Sequence, residues 1–158
     1  MRLMFAVRGR IGRGLWWSGV GTLIVYHLIA VLLLIDIYGS VPPPSHEGRL
    51  VLLALCVLGL VMSFCLAAKR FHDRGRSAWF AGAPAAVMLV KSVLDAFQVT
   101  GVAGSFTWVD YAFAGVQLAI GIWFIVELGM LRGTPGDNAY GPDPLRPAGV
   151  PAPTAAGS

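Results

Sequence analysis

Four long apolar runs, none holding more than two charged residues, leave this chain few folds to choose from. They are Trp17–Tyr38, Leu50–Ala68, about Ala78–Val99 and Trp108–Leu131. Each is close to the roughly 20 residues that a helix needs to cross a hydrocarbon core. Inside lipid the backbone must satisfy its own N–H and C=O groups, so only helices and closed barrels span. The runs lack the period-two alternation of barrel strands. The expected class is an all-α integral membrane protein with four transmembrane helices, and short loops make sequential helices antiparallel neighbours. Composition agrees: of 158 residues 56% are hydrophobic and 13% charged, against about 25% charged in soluble domains. One bundle over residues 1–144 accounts for nearly the whole chain and leaves no room for a separate soluble catalytic domain. The remainder, 145–158, is rich in Pro, Ala and Gly and is expected to be disordered.

The connections are punctuated clearly. Val41-Pro42-Pro43-Pro44-Ser45 makes the first loop, because proline is excluded from helix interiors. Lys69–Ser77 reads as a short basic second loop, Thr100–Ser105 as a small uncharged third, and Gly133-Thr134-Pro135-Gly136 as the stop after the fourth helix. Arg2, Arg8, Arg10 and Arg13 precede the first run as in a signal peptide, but that run, at about 22 residues, exceeds the roughly 7–15 of a signal core, so it is expected to be a retained helix. Cys56 and Cys65, nine residues apart in one run, point to nearly opposite sides of a helix at about 100° per residue and are read as packing residues.

Basic residues set orientation. Ten of them fall in the N-terminal segment, the second loop and the tail, against Arg49 alone in the first loop and none in the third. Both termini and the second loop are therefore expected in the cytoplasm. Trp16, Trp17, Tyr38, Trp79 and Trp108 fall at predicted helix ends, as interfacial aromatic anchors do. The net charge of +4 is read as attraction to anionic lipid rather than to nucleic acid, because the cations cluster at helix ends. Gly115 and Ala119 form a small-xxx-small pair suited to close helix contact.

The second loop is the densest chemistry: Lys69-Arg70-Phe71-His72-Asp73-Arg74-Gly75-Arg76-Ser77. Gly75 suits a turn with positive φ, Ser77 can cap the third helix, and Asp73 can pair with a neighbouring Arg. The stretch serves either as a topology signal with a tight turn or as an anion site for phosphates.

The pattern R-x-H-D-x-G-R-S-x-W, Arg70 to Trp79, resembles the signature of a bacterial family known as domain of unknown function 805. The opening Gly9-Arg10-Ile11-Gly12-Arg13 with Trp16-Trp17 resembles that family's G-R-I-x-R start. The tail Pro135-Gly136-Asp137-Asn138-Ala139-Tyr140-Gly141-Pro142-Asp143-Pro144 resembles its closing G-x-N-x-Y-G. The likeness covers about Phe5 to Pro144 and departs at Phe71 and Arg74, where members often carry Leu and Thr. It implies a multi-pass bacterial inner-membrane protein and no enzyme activity.

All three motifs fall on the side expected to be cytoplasmic. They are expected to fold together into a polar platform, with Asp137 or Asp143 pairing with Arg70, Arg74 or Arg10, and Asn138 holding a tight turn. Within the runs, His27, Lys91, Asp95, Gln117 and Glu127 are the polar residues of interest. His27, Gln117 and Lys91 are candidates for a polar cavity or proton relay. Alternatively Lys91 snorkels towards Asp95 and Asp36, His27 bonds Gln117 or a carbonyl, and Glu127 meets Arg132 or an Arg of the second loop.

Enzyme signatures are thin: there is no P-loop, G-x-S-x-G or HExxH. No metal or cofactor is expected, since Cys65 and His72 make a poor zinc pair. The leading reading is a non-enzymatic accessory or regulatory protein whose basic face meets anionic lipid, a membrane-protein partner or a second copy. The alternatives are a small oligomeric transporter or channel using His27, Lys91 and Gln117, and a lipid-headgroup enzyme using His72 with Asp73, Asp137 and Asp143.

Overall fold

A computed structural model describes residues 2–100 and 105–146. A short helix α1 (Arg2–Phe5) is followed by α2 (Arg13–Tyr38), α3 (His46–Asp73), α4 (Trp79–Ala96) and α5 (Trp108–Phe124). The last continues as a π-helical segment, Ile125–Met130. The four long helices, α5 taken through Met130, are long and apolar enough to cross a membrane. The chain is an all-helical, multi-pass membrane protein.

The main departure from the expected boundaries is in α3. Lys69–Asp73, read above as loop, forms its final helical turns. Charge alone does not end a helix. The chain turns only at Gly75, whose φ of 69° suits a residue without Cβ. The true connection therefore runs over 74–78, and Ala78 rather than Ser77 occupies the N-cap of α4. Ser77 Oγ still accepts from Trp79 N at 3.4 Å. Helix α4 ends at Ala96, short of the expected Val99, where Gln98 takes a φ of 58°. Part of the third loop, 101–104, and most of the tail expected to be disordered, 147–158, lie outside the described residues.

Helix α3 is the centre of the bundle, packing most extensively against α4 and α2, with α1 beside it. Glycines set how closely α2 and α3 approach. A Cβ on Gly19 would lie 2.5 Å from Leu66, and one on Gly59 would lie 2.8 Å from the His27 ring. Gly115 has nothing within 4 Å, so the Gly115–Ala119 pair makes no close helix contact here. The buried cluster sits at one end of the helices, where Ile11, Trp16, Leu66, Phe71, Ala81 and Leu128 meet. Phe71 is at its middle, with the Phe80, Trp123 and Phe124 rings 5.6–5.9 Å away. Trp16, expected as an interfacial anchor, is instead part of this core, whereas Trp79 and Trp108 are exposed. Cys56 and Cys65 are both free thiols.

Candidate functional site

The three motif segments meet at this packed end. Arg70, on the last turns of α3, is fully buried, and so is its neighbour Asp73. One carboxylate serves two guanidiniums. Asp73 Oδ1 accepts from Arg10 Nε at 3.2 Å and Nη2 at 3.0 Å, while Asp73 Oδ2 accepts from Arg70 Nη1. The side chains of both arginines are 1% exposed. Two buried cations against one buried anion would be costly without further acceptors. Backbone carbonyls supply them. Arg10 also donates to Gly136 O and Thr134 O, each at 2.6 Å, and to Gly141 O at 3.3 Å.

The end of α5 explains where Arg70 finds its acceptors. A helix leaves its last carbonyls without intrahelical donors, and cations are favoured there. Leu128 O accepts from Arg70 Nε at 2.7 Å, and Leu131 O from Arg70 Nη2. Gly129 O accepts from Trp17 Nε1 at 3.3 Å, Met130 O from Arg13 at 3.5 Å, and Arg132 O from Arg74 at 2.6 Å. Five successive carbonyls of this terminus are thus capped by side chains from α2, α3 and the turn after it. Gly129 is required for this approach, since a Cβ there would lie 2.8 Å from the Trp17 ring.

The closing motif docks on the same surface. Asn138 Nδ2 donates to His72 O at 2.9 Å and to Thr134 Oγ1 at 3.0 Å, while its Oδ1 accepts from Tyr140 N. Asn138 and Gly141 also exchange backbone hydrogen bonds, closing the tight turn. That turn lays Tyr140 flat on His72, with ring centroids 4.0 Å apart and planes 4° from parallel. The His72 Nδ1 lies 3.2 Å from Gly9 O, so this one imidazole touches all three segments.

The expected Asp137 and Asp143 pairings with Arg70, Arg74 or Arg10 are not formed. Asp137 pairs with Arg146 at 2.6 Å. Asp143 accepts from the backbone N–H of Gly136 and Leu145. Those bonds, Leu145 first, hold its carboxyl below the usual carboxylate range. The counter-ion was already inside the second motif, as Asp73. Glu127 receives Arg74 and Arg76, each at 3.2 Å, and not Arg132. Among the described residues no group of three or more His, Cys, Asp or Glu comes together as a metal-sized cluster.

A family model described as a protein of unknown function (DUF805) matches residues 4–142. The chain belongs to this family. It is also 32% identical over 148 residues to the uncharacterized protein YiiR of Escherichia coli K12, covering 89% of this chain and 86% of the relative. The YiiR sequence of Escherichia coli O157:H7 matches to the same extent. No solved structure matches significantly. The family's opening, middle and closing motifs are the three segments that the Arg10–Asp73–Arg70 cluster joins.

The polar residues within the spans divide. Lys91 pairs with Asp95, its i+4 neighbour, and lies 3.5 Å from Asp110 rather than beside Asp36. Lys91, Asp110 and Gln117 line one cavity of about 460 Å³. His27 is elsewhere. Its Nδ1 bonds Leu23 O at 2.7 Å and its ring lies against Gly59, so it neither bonds Gln117 nor joins the Lys91 group. Asp110 escaped the sequence reading, although Thr107-x-x-Asp110 is a capping-box pattern. Both reciprocal bonds of that box are present. Thr134, which donates from N and Oγ1 to Asp73 O, carried no sequence signal beyond its place in the stop after the fourth helix.

Proposed function

We propose that this chain is a non-enzymatic accessory or regulatory protein of the bacterial inner membrane, whose basic cytoplasmic face meets anionic lipid. The reading takes both termini and the 74–78 turn as cytoplasmic. It takes sequential helices as antiparallel. Support for the pairing of α2 with α3 comes from its register, in which Gly19 meets Leu66, His27 meets Gly59 and Tyr38 meets Gly48.

One observation carries the proposal. The groups best suited to chemistry, Arg10, Arg70 and Asp73, are committed to one another and to backbone carbonyls. This ion-paired centre keeps a net positive charge, and the same end carries ten basic residues against four carboxylates, Asp73, Glu127, Asp137 and Asp143. That arrangement builds a rigid positive surface rather than a reactive centre. Anionic headgroups attract basic residues at about 1 kcal/mol each near the surface.

Two measurements test it together. A membrane-impermeant maleimide on intact cells should label Ser45→Cys and spare Ser77→Cys, in a background with Cys56 and Cys65 replaced. The purified protein should retain phosphatidylglycerol over phosphatidylcholine in native mass spectra. Labelling of Ser77→Cys alone would reverse the topology, and equal retention of both lipids would remove the anionic-lipid reading.

A further inference from the structure

Beside the Arg10–Asp73–Arg70 cluster lies a cavity of about 450 Å³, between the start of α2 and the segment from Arg132 to Leu145. Its volume is in the range that holds small organic ligands. Two of its lining arginines keep most of their donors available. Arg132 is exposed, and its guanidinium has no partner among the described residues. Arg13 is exposed, and its guanidinium makes a single hydrogen bond among the described residues, to Met130 O at 3.5 Å. Buried Arg70 and Asp73 form part of the wall, and that cluster with Arg10 is already net positive. Asp143 is the opposing charge on the rim, and two backbone N–H groups occupy its carboxylate.

The floor is open. Gly14 lines the cavity, and a Cβ there would meet nothing within 4 Å. The first turn of α2 carries no acidic residue, and Gly12 gives it no side-chain cap, so its N–H groups add positive potential to the same space. The surroundings are amphipathic. Leu145 lines one edge, and the Trp17 ring packs beside Gly129 at the adjoining helix end.

We infer that this cavity binds a phosphate ester anion, held between Arg13 and Arg132, and that a phospholipid headgroup is its source. The inference rests on the anionic-lipid reading above and assigns it a site. The apolar edge favours a lipid over a soluble phosphate ester, and the two share the chemistry that the arginines recognise.

The test uses the full chain in dodecyl maltoside, with dioleoyl phosphatidylglycerol, dioleoyl phosphatidylcholine and glycerol 3-phosphate as probes, read by native mass spectrometry. Arg13→Gln with Arg132→Gln should weaken phosphatidylglycerol binding about thirtyfold, the effect of two basic contacts. Arg8→Gln with Arg146→Gln removes the same charge from the basic face outside the cavity and should weaken binding clearly less than the first pair does. Gly14→Leu fills the cavity without touching charge and should weaken binding as the first pair does. Glycerol 3-phosphate binding with the same arginine dependence supports the anion site and makes its ligand soluble. Undiminished phosphatidylglycerol preference in both the Arg13–Arg132 and Gly14 variants overturns the cavity site and leaves the basic-face reading standing. No preference for phosphatidylglycerol in the unmodified protein, with no glycerol 3-phosphate binding, overturns both.

Discussion

When Asp73 becomes alanine, two arginine side chains, each 1% exposed, lose the counter-charge they share. Removing one member of a buried ion pair costs about 3–5 kcal/mol, because the other charge stays out of water without compensation. Here the carbonyl acceptors of Arg10 and Arg70 remain, but they carry no net charge, so Asp73→Ala should lose about that much. Asp73→Asn keeps an acceptor oxygen and should fall between. Adding Arg10→Met to Asp73→Ala removes one of the stranded cations and should recover about 1–3 kcal/mol relative to additivity. Unfolding by dodecyl sulfate in mixed micelles, followed by tryptophan fluorescence, reads this directly, since Trp16 and Trp17 pack against Gly129 beside the cluster. Buried pairs are weakly screened, so the loss should persist at high salt. An Asp73→Ala cost within about 0.5 kcal/mol of zero, as for an ordinary surface change, would refute the reasoning. So would strict additivity with Arg10→Met.

Gly133→Ala should destabilise by about 1–3 kcal/mol as an overpacked site, because its Cβ would lie 2.0 Å from the Asp73 carboxylate; a Tm unchanged from the parent would count against it. Tyr140→Phe should keep the stack on His72 and leave trypsin cleavage of the tail unchanged, whereas Tyr140→Ala loses about 0.5–1.5 kcal/mol and speeds cleavage. Asp143 has a folded-state pKa below its unfolded value, so its anchoring of Gly136 and Leu145 is full above the unfolded pKa. It is lost only as pH falls through the lower, folded pKa. Amide exchange at Gly136 and Leu145 should therefore be pH-independent, after correction for intrinsic rates, between about pH 5 and 7, and Asp143→Asn should raise it throughout. Loosening within that window in the parent protein would contradict the assignment.

The fold was largely legible, because hydrophobic length is a strong signal and needs no tertiary information. All four spans were readable from runs near 20 residues. The ends were less so. Hydropathy places the end of α3 at Ala68, where the charges begin, but the helix runs on through Asp73 because its partners neutralise those charges. The meeting of the three motifs followed from placing all of them on one side. The choice of carboxylate did not follow, because Asp137 and Asp143 looked available and Asp73 looked local to its own turn. Only the rotation of α3 aims Asp73 at Arg10, 63 residues away in sequence. His27 and Gln117 both fall near the middle of their apolar runs, but depth says nothing of azimuth, and His27 lies against α3 instead.

The joining of the opening and closing motifs can be measured by cross-linking in native membranes. A Cβ on Gly12 would lie 3.6 Å from the Leu145 side chain. With Cys56 and Cys65 replaced, Gly12→Cys and Leu145→Cys should form an intramolecular disulfide under mild oxidation, and adding Asp73→Ala should slow its formation. A Gly12→Cys and Ser40→Cys pair, at opposite ends of α2, should not cross-link. If Gly12→Cys and Leu145→Cys react no faster than that control, the two motifs do not share one platform and the account is contradicted.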